Sequence, residues 1–187
     1  MQQVYCGMQI ACDIMSKCSC SPTAETEDLK SSQWWFESTH EHHMKESILI
    51  SACLLGEKCR YDGRNCFTPD IEKLKIKYNL IPVCPEVLGG LTIPRNPAEQ
   101  KGSRVFDNQG LDLTENFFKG SQKCLETAKA NNCKIAILKT KSAACGVGQI
   151  YDGTFSGRLV QGNGVTVKLL LEAGIEVYTE KHITELL

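Results

Sequence analysis

The chain has 187 residues, 42% hydrophobic and 23% charged, with a formal net charge of −1. That balance suits a soluble globular protein and argues against a broad basic footprint for polymeric nucleic acid or an anionic membrane surface. No apolar stretch approaches the roughly 18 residues of a membrane span, and no basic segment followed by an apolar core marks a secretory signal.

Eleven cysteines are many for this length. An odd number without a signal peptide disfavours a secreted disulfide framework; in a reducing cytoplasm, the expected location, it points to metal binding or catalysis. Nothing in the sequence specifies an oligomeric state.

Residues 1–43 stand apart. They carry Cys6, Cys12, Cys18 and Cys20, a polar run, Trp34-Trp35-Phe36 and His40, His42 and His43, with no sustained helical or strand period. The cysteine and histidine spacing fits no standard zinc finger. The expectation is a poorly ordered extension, or sequence upstream of the native start, with Met44 opening a domain over residues 44–187.

From Ile48 the pattern becomes regular. Ile48–Ala52 reads as a first strand, followed by a loop with the Asp62-Gly63 turn signal. Pro69-Asp70 opens a short helix over about Ile71–Tyr78. Leu80–Val83 is a second strand, and Pro82 within it predicts an edge position or a short strand. Pro85–Gly110 reads as a long irregular section, of the kind usually tied to function. Asp112 and Glu115 have the spacing of a capped helix start, and that helix should end near Asn131-Asn132. Lys134–Leu138 is a third strand. After a glycine-rich stretch to Gly164, Val165–Glu172 reads as the last helix and Ile175–Tyr178 as the last strand. Alternating strands and helices of this size predict a parallel three-layer α/β domain.

Three cysteines share one placement. Cys53 and Cys84 each end an apolar run, and Cys145 follows the third run after a polar turn, Lys139–Ala144. In an open parallel sheet, ligands bind beyond the carboxyl ends of the strands. Neighbouring strands would therefore bring the three thiolates together, and three sulfur ligands leave a coordination position open. Each motif alone has a plainer explanation. Cys84-Pro85-Glu86 can simply open a helix, Ser142–Gly146 can be a flexible turn, and Cys53 can be a buried apolar cysteine. Their coincidence at strand ends shifts the balance toward a site.

Ser51-Ala52-Cys53-Leu54-Leu55-Gly56, Cys59-Arg60-Tyr61-Asp62-Gly63, Pro82-Val83-Cys84-Pro85-Glu86 and Leu88-Gly89-Gly90-Leu91 resemble the thiouracil desulfurase family. So do Pro94-Arg95, Ser142-Ala143-Ala144-Cys145-Gly146 and Tyr151–Gly157, in the same order, from about Met44 to Leu187. The resemblance implies a single three-layer Rossmann-like α/β domain with a mainly parallel sheet and a 4Fe-4S cluster held by Cys53, Cys84 and Cys145, with sulfur captured on its open iron. Glu86 and Ser142 fall on the catalytic positions. The implied activity is non-redox, hydrolytic removal of sulfur from thiolated pyrimidines, free or as nucleotides, such as thiouracil or 4-thiouridine monophosphate. The chain departs from the family in carrying Ala143-Ala144 where Pro-Ser is usual, which loosens the loop and removes a hydroxyl.

Other residues are weighed as follows. Cys59 is the best substitute ligand, but its loop position favours a neighbour that does not ligate. Arg60, Arg95 and Lys139 are candidate partners for a substrate phosphate, with solvated surface charge as the competing explanation. Gly162–Thr166, with Asn163, could offer helix N-terminal amides to an anion, or form a plain glycine turn. Two rivals remain open: an iron–sulfur dehydratase, and a non-catalytic zinc or nucleotide-binding module.

Overall fold

The structure, a computed structural model, describes residues 45–187; the extension expected over residues 1–43 lies outside them. In chain order the elements are β1 (Ser47–Ser51), a 3-10 turn (Ala52–Leu55), α1 (Ile71–Lys77), β2 (Asn79–Val83), α2 (Pro85–Leu88), β3 (Ala98–Lys101) and β4 (Arg104–Asp107). They continue with α3 (Thr114–Ala130), β5 (Ile135–Leu138), β6 (Gln149–Tyr151), β7 (Leu159–Gln161), α4 (Val165–Glu172), β8 (Glu176–Thr179) and a C-terminal 3-10 turn (Glu180–Glu185).

Four strands form one parallel sheet in the order β2-β1-β5-β8. Alternation along β1 explains the layering: Ile48 and Ile50 face one side and Leu49 the other, all three fully buried. Leu49 packs with Phe117, Cys124, Val167 and Leu170 from α3 and α4. On the opposite face Ile48 and Ile50 meet Ile71 and Leu74 of α1, with Ile183 from the C-terminal turn. A sheet covered on both faces in this way is the expected three-layer Rossmann-like arrangement.

Pro82 sits on the edge strand, paired in register with Ile50. A residue without an N–H is tolerated there because the outer side of the strand has no neighbour to bond. Expected and observed boundaries differ by a residue or two at α1, β5 and β8.

Two sections expected to be irregular contain hairpins. Residues 85–110 hold α2 and the antiparallel pair β3–β4, and the glycine-rich stretch holds β6–β7. At β3 the buried pair is Glu99 and Gln100, so hydrophobic alternation does not reveal the strand. The helix α3 starts at Thr114, whose amide donates to Asp112 Oδ1 at 2.9 Å; Glu115 does not complete a capping box.

Glycine sets one close approach that matters for the site. A Cβ on Gly120 of α3 would collide with the Pro85 carbonyl oxygen, and one on Gly89 with the Asn116 carbonyl. These two positions let the backbones of α2 and α3 meet, which fixes the segment Cys84-Pro85-Glu86.

Candidate active site

The ends of three adjacent strands deliver three cysteines. Cys84 directly follows β2, Cys53 sits in the 3-10 turn after β1, and Cys145 lies on the loop beyond β5. Because the three strands are parallel neighbours, their C-terminal ends open on the same side. All three sulfurs line a cavity of about 560 Å³ together with Cys59, Glu86 and Ser142. These are four of the seven cysteines among the described residues, and all are free thiols.

The sulfurs influence one another. Cys59 is buried, Cys84 Sγ lies 3.8 Å from its carbonyl oxygen, and its own thiol is pushed up to about 11, chiefly by the neighbouring Cys53. The Cys59 thiol, and then burial, also raise Cys84. Burial drives Cys145 well above the ordinary thiol range, opposed by the Ser51 hydroxyl, whose Oγ lies 3.6 Å from Cys145 Sγ. Ser51 also accepts the Lys139 N–H at 3.0 Å, so one buried hydroxyl joins the end of β1 to both ends of the Lys139–Cys145 loop.

Glu86 and Ser142, which line the same cavity, are each held by hydrogen bonds. Arg95 donates Nε to Glu86 Oε2 at 2.8 Å, and its terminal nitrogens donate to the Cys59 and Thr92 carbonyls. Ser142 Oγ accepts the N–H groups of Ala144 and Cys145 at 3.1 and 3.3 Å. Its own proton is left to donate into the cavity it lines.

The donor set suits an iron–sulfur cluster. No three His, Cys, Asp or Glu side chains among the described residues gather tightly enough for a single metal ion. Ligands of a four-iron cube bind different irons and so stand further apart than ligands of one ion. Soft thiolates around a shielded cavity are the ligand class such clusters use. A bound cation would also reverse the protonation preference of these buried thiols, since a coordinating thiol is deprotonated outright.

Comparison with known proteins bears on the same residues. The 2-thiouracil desulfurase family matches residues 48–182, a span that includes all four of these cysteines, Glu86 and Ser142. The chain belongs to the 2-thiouracil desulfurase family. It is 40% identical over 150 residues to the uncharacterised protein YbbK of Bacillus subtilis (strain 168), covering 75% of this chain and 99% of that one. Among solved structures it is similar to the 4Fe-4S-dependent thiouracil desulfidase TudS, at 41% identity and a TM-score of 0.72. That likeness covers 76% of this chain and 95% of the TudS chain.

Within this 2-thiouracil desulfurase fold the candidate substrate residues divide. Arg60, Arg95 and Lys139 line the cavity, but each has protein partners. Arg60 pairs with Asp62 and donates to Cys66 Sγ at 2.8 Å, Arg95 holds Glu86, and Lys139 pairs with Glu180. Asn163 does not line the cavity; its Oδ1 accepts the Gly148 N–H at 2.7 Å.

Of the two readings weighed for the start of α4, an anion site or a plain glycine turn, the backbone goes against the anion site. The amides of Gly164, Val165 and Thr166 donate to the carbonyls of Gly146, Ala143 and Ala144 at 2.7 to 3.0 Å. Those N–H groups therefore dock the Cys145 loop instead of facing a phosphate. Gln100 braces the same loop, donating Nε2 to the Ala143 carbonyl at 2.7 Å. Ser51 and Gln100 escape sequence reasoning because a lone polar residue in a strand carries no periodic signal.

Proposed function

We propose that this chain is an iron–sulfur-dependent desulfidase that removes sulfur from thiolated pyrimidines, thiouracil and 4-thiouridine monophosphate among them. In this reading Cys53, Cys84 and Cys145 hold a 4Fe-4S cluster, and Glu86 and Ser142 act on the substrate. The observation that carries it is the convergence of three strand-end cysteines on one cavity that also contains a carboxyl group and a free hydroxyl donor. Family membership and the likeness to TudS support the same chemistry.

When bound, such a cluster supplies a thiophilic iron with an open position, a Lewis acid toward a thiocarbonyl sulfur. The protein's own groups do the rest. Glu86, with one carboxyl oxygen fixed by Arg95, has its other oxygen available to take a proton from the attacking water. The ion pair keeps that carboxyl group from swinging away as the proton moves. Ser142, immobilised through two backbone amides, donates its hydroxyl proton to the ring or to the water. Buried surroundings limit competing water and strengthen both contacts. Water adds at the carbon, sulfide leaves, and the reaction needs no net electron transfer.

The test is anaerobic reconstitution with iron and sulfide, followed by incubation with 2-thiouracil. About four irons and four sulfides per chain, with release of uracil and sulfide in equal amounts, are expected. A loaded protein that releases no sulfide from thiouracil or 4-thiouridine monophosphate overturns the proposal.

A further inference from the structure

We propose that Glu99 determines specificity by accepting a ring N–H of the thiolated pyrimidine, an inference that rests on the desulfidase reading above. Glu99 lies on β3, is buried, and lines the same cavity as the four cysteines. Its two oxygens have different surroundings. Oε2 accepts the N–H of Gly153 at 3.0 Å and of Phe155 at 2.9 Å. That pins the loop between β6 and β7, where Gly153 and Phe155 both adopt left-handed backbone angles, φ 84° and 57°. A non-glycine residue held there needs a fixed restraint, and Oε2 supplies it.

Oε1 has no hydrogen-bond partner among the described residues. No enclosed side-chain oxygen or nitrogen among them is left without one, so Oε1 keeps an opening, and the cavity that Glu99 lines is the candidate active site. No lysine or arginine among the described residues forms an ion pair with Glu99. Arg60, Arg95 and Lys139 line the same cavity but are paired with Asp62, Glu86 and Glu180, and Lys141 makes no bond to Glu99, so Oε1 is open to an N–H donor from the ligand. Thiolated pyrimidines carry such a donor beside the thiocarbonyl carbon. Tyr151, at the end of β6, and Phe155, within the pinned loop, line the cavity as well and offer apolar ring surface to a flat heterocycle.

The consequence is discrimination. A site that hydrogen-bonds a donor rejects the analogue lacking it, because its own buried group is then left unpaired. Glu86 and Ser142 carry the chemistry; Glu99 reads which ring is present.

The experiment pairs binding with turnover on the cluster-loaded enzyme. Calorimetric titration with uracil, 1-methyluracil and 3-methyluracil should show that one of the two methylated rings binds about 10- to 100-fold more weakly than uracil. In Glu99→Gln the amide oxygen still accepts from Gly153 and Phe155, while the cavity-facing oxygen becomes a donor. That variant should lose uracil affinity by a similar factor and raise KM for 2-thiouracil more than it lowers kcat. It should also suffer no further loss on the discriminated N-methyl ring. Equal binding of all three rings by the unaltered enzyme overturns the inference, whether or not the variant folds. So does a Glu99→Gln penalty that is identical for every ring, which marks Glu99 as a loop anchor alone. If the unaltered enzyme binds uracil selectively yet releases no sulfide from thiouracil, the desulfidase reading fails while Glu99 keeps its assigned role.

Discussion

Arg95 Nε lies 2.8 Å from Glu86 Oε2, and the Arg95 side chain is only 7% exposed. The same guanidinium reaches the Cys59 carbonyl at 3.0 Å, so one residue joins the proposed proton acceptor to the cysteine loop. Removing it leaves a partly buried carboxyl group without its cation. Arg95→Met is expected to destabilise the protein by about 3 kcal/mol and to lower kcat further than global unfolding accounts for. Urea denaturation and steady-state kinetics check the two effects separately. Arg95→Lys should recover part of the stability and less of the rate, because an ammonium cannot reproduce the three-way guanidinium geometry.

Glu86→Gln should keep the cluster and lose turnover. General acid–base groups typically contribute about 10² to 10⁴ in rate, and a loss in that range with unchanged iron content is the expected result. Iron analysis beside sulfide release measures both. Turnover near that of the unaltered enzyme would remove Glu86 from its role.

The four cysteines should separate by iron content. Cys53→Ala, Cys84→Ala and Cys145→Ala are each expected to prevent assembly, seen as loss of the brown chromophore. Cys59→Ser should retain close to the full iron complement although Cys59 lines the same cavity as the other three. Loss of iron in Cys59→Ser would make it a ligand.

Ser51→Ala tests the hydroxyl that links Cys145 to the end of β1. It removes the donor to Cys145 Sγ and leaves the Lys139 N–H without its acceptor. Hydrogen bonds to ligand sulfurs tune cluster potential, so the expected outcomes are faster iron loss to a chelator and a shifted reduction potential. A stability cost of about 1 to 3 kcal/mol should accompany them.

Acid should weaken the fold through Glu180. Burial pushes its carboxyl group up, but Lys139 and the Thr140 hydroxyl and amide outweigh that and hold it below the ordinary value. A depressed folded-state value gives stability that is complete above the unfolded carboxyl range, about pH 4.3, and lost as pH falls through the folded value. Melting temperature should therefore decline below about pH 5, and Glu180→Gln should flatten part of that decline.

How much of this was legible in the sequence depends on residue type. The sheet strands and α4 were readable because Ile48–Ile50, Ile135–Leu138 and Val165–Glu172 bury apolar side chains in regular patterns. Pro82 announced an edge through its missing N–H. The β3–β4 hairpin was hidden because its buried side chains include Glu99 and Gln100, chosen for hydrogen bonds across the cavity wall. Arg95 and Lys139 read as surface charge because their partners, Glu86 and Glu180, are distant in sequence or on another strand end. The docking of the Cys145 loop onto α4 is carried by backbone carbonyls and has no side-chain signature.

Cys53, Cys84 and Cys145 each close a different β-to-α passage of the sheet. An inorganic group held by all three would rivet together three lengths of chain that are otherwise joined by their ladder and a few hydrogen bonds, those of Ser51 among them. Loading and folding then form one linked equilibrium, so iron starvation in a cell should shorten the lifetime of this protein as well as silence it.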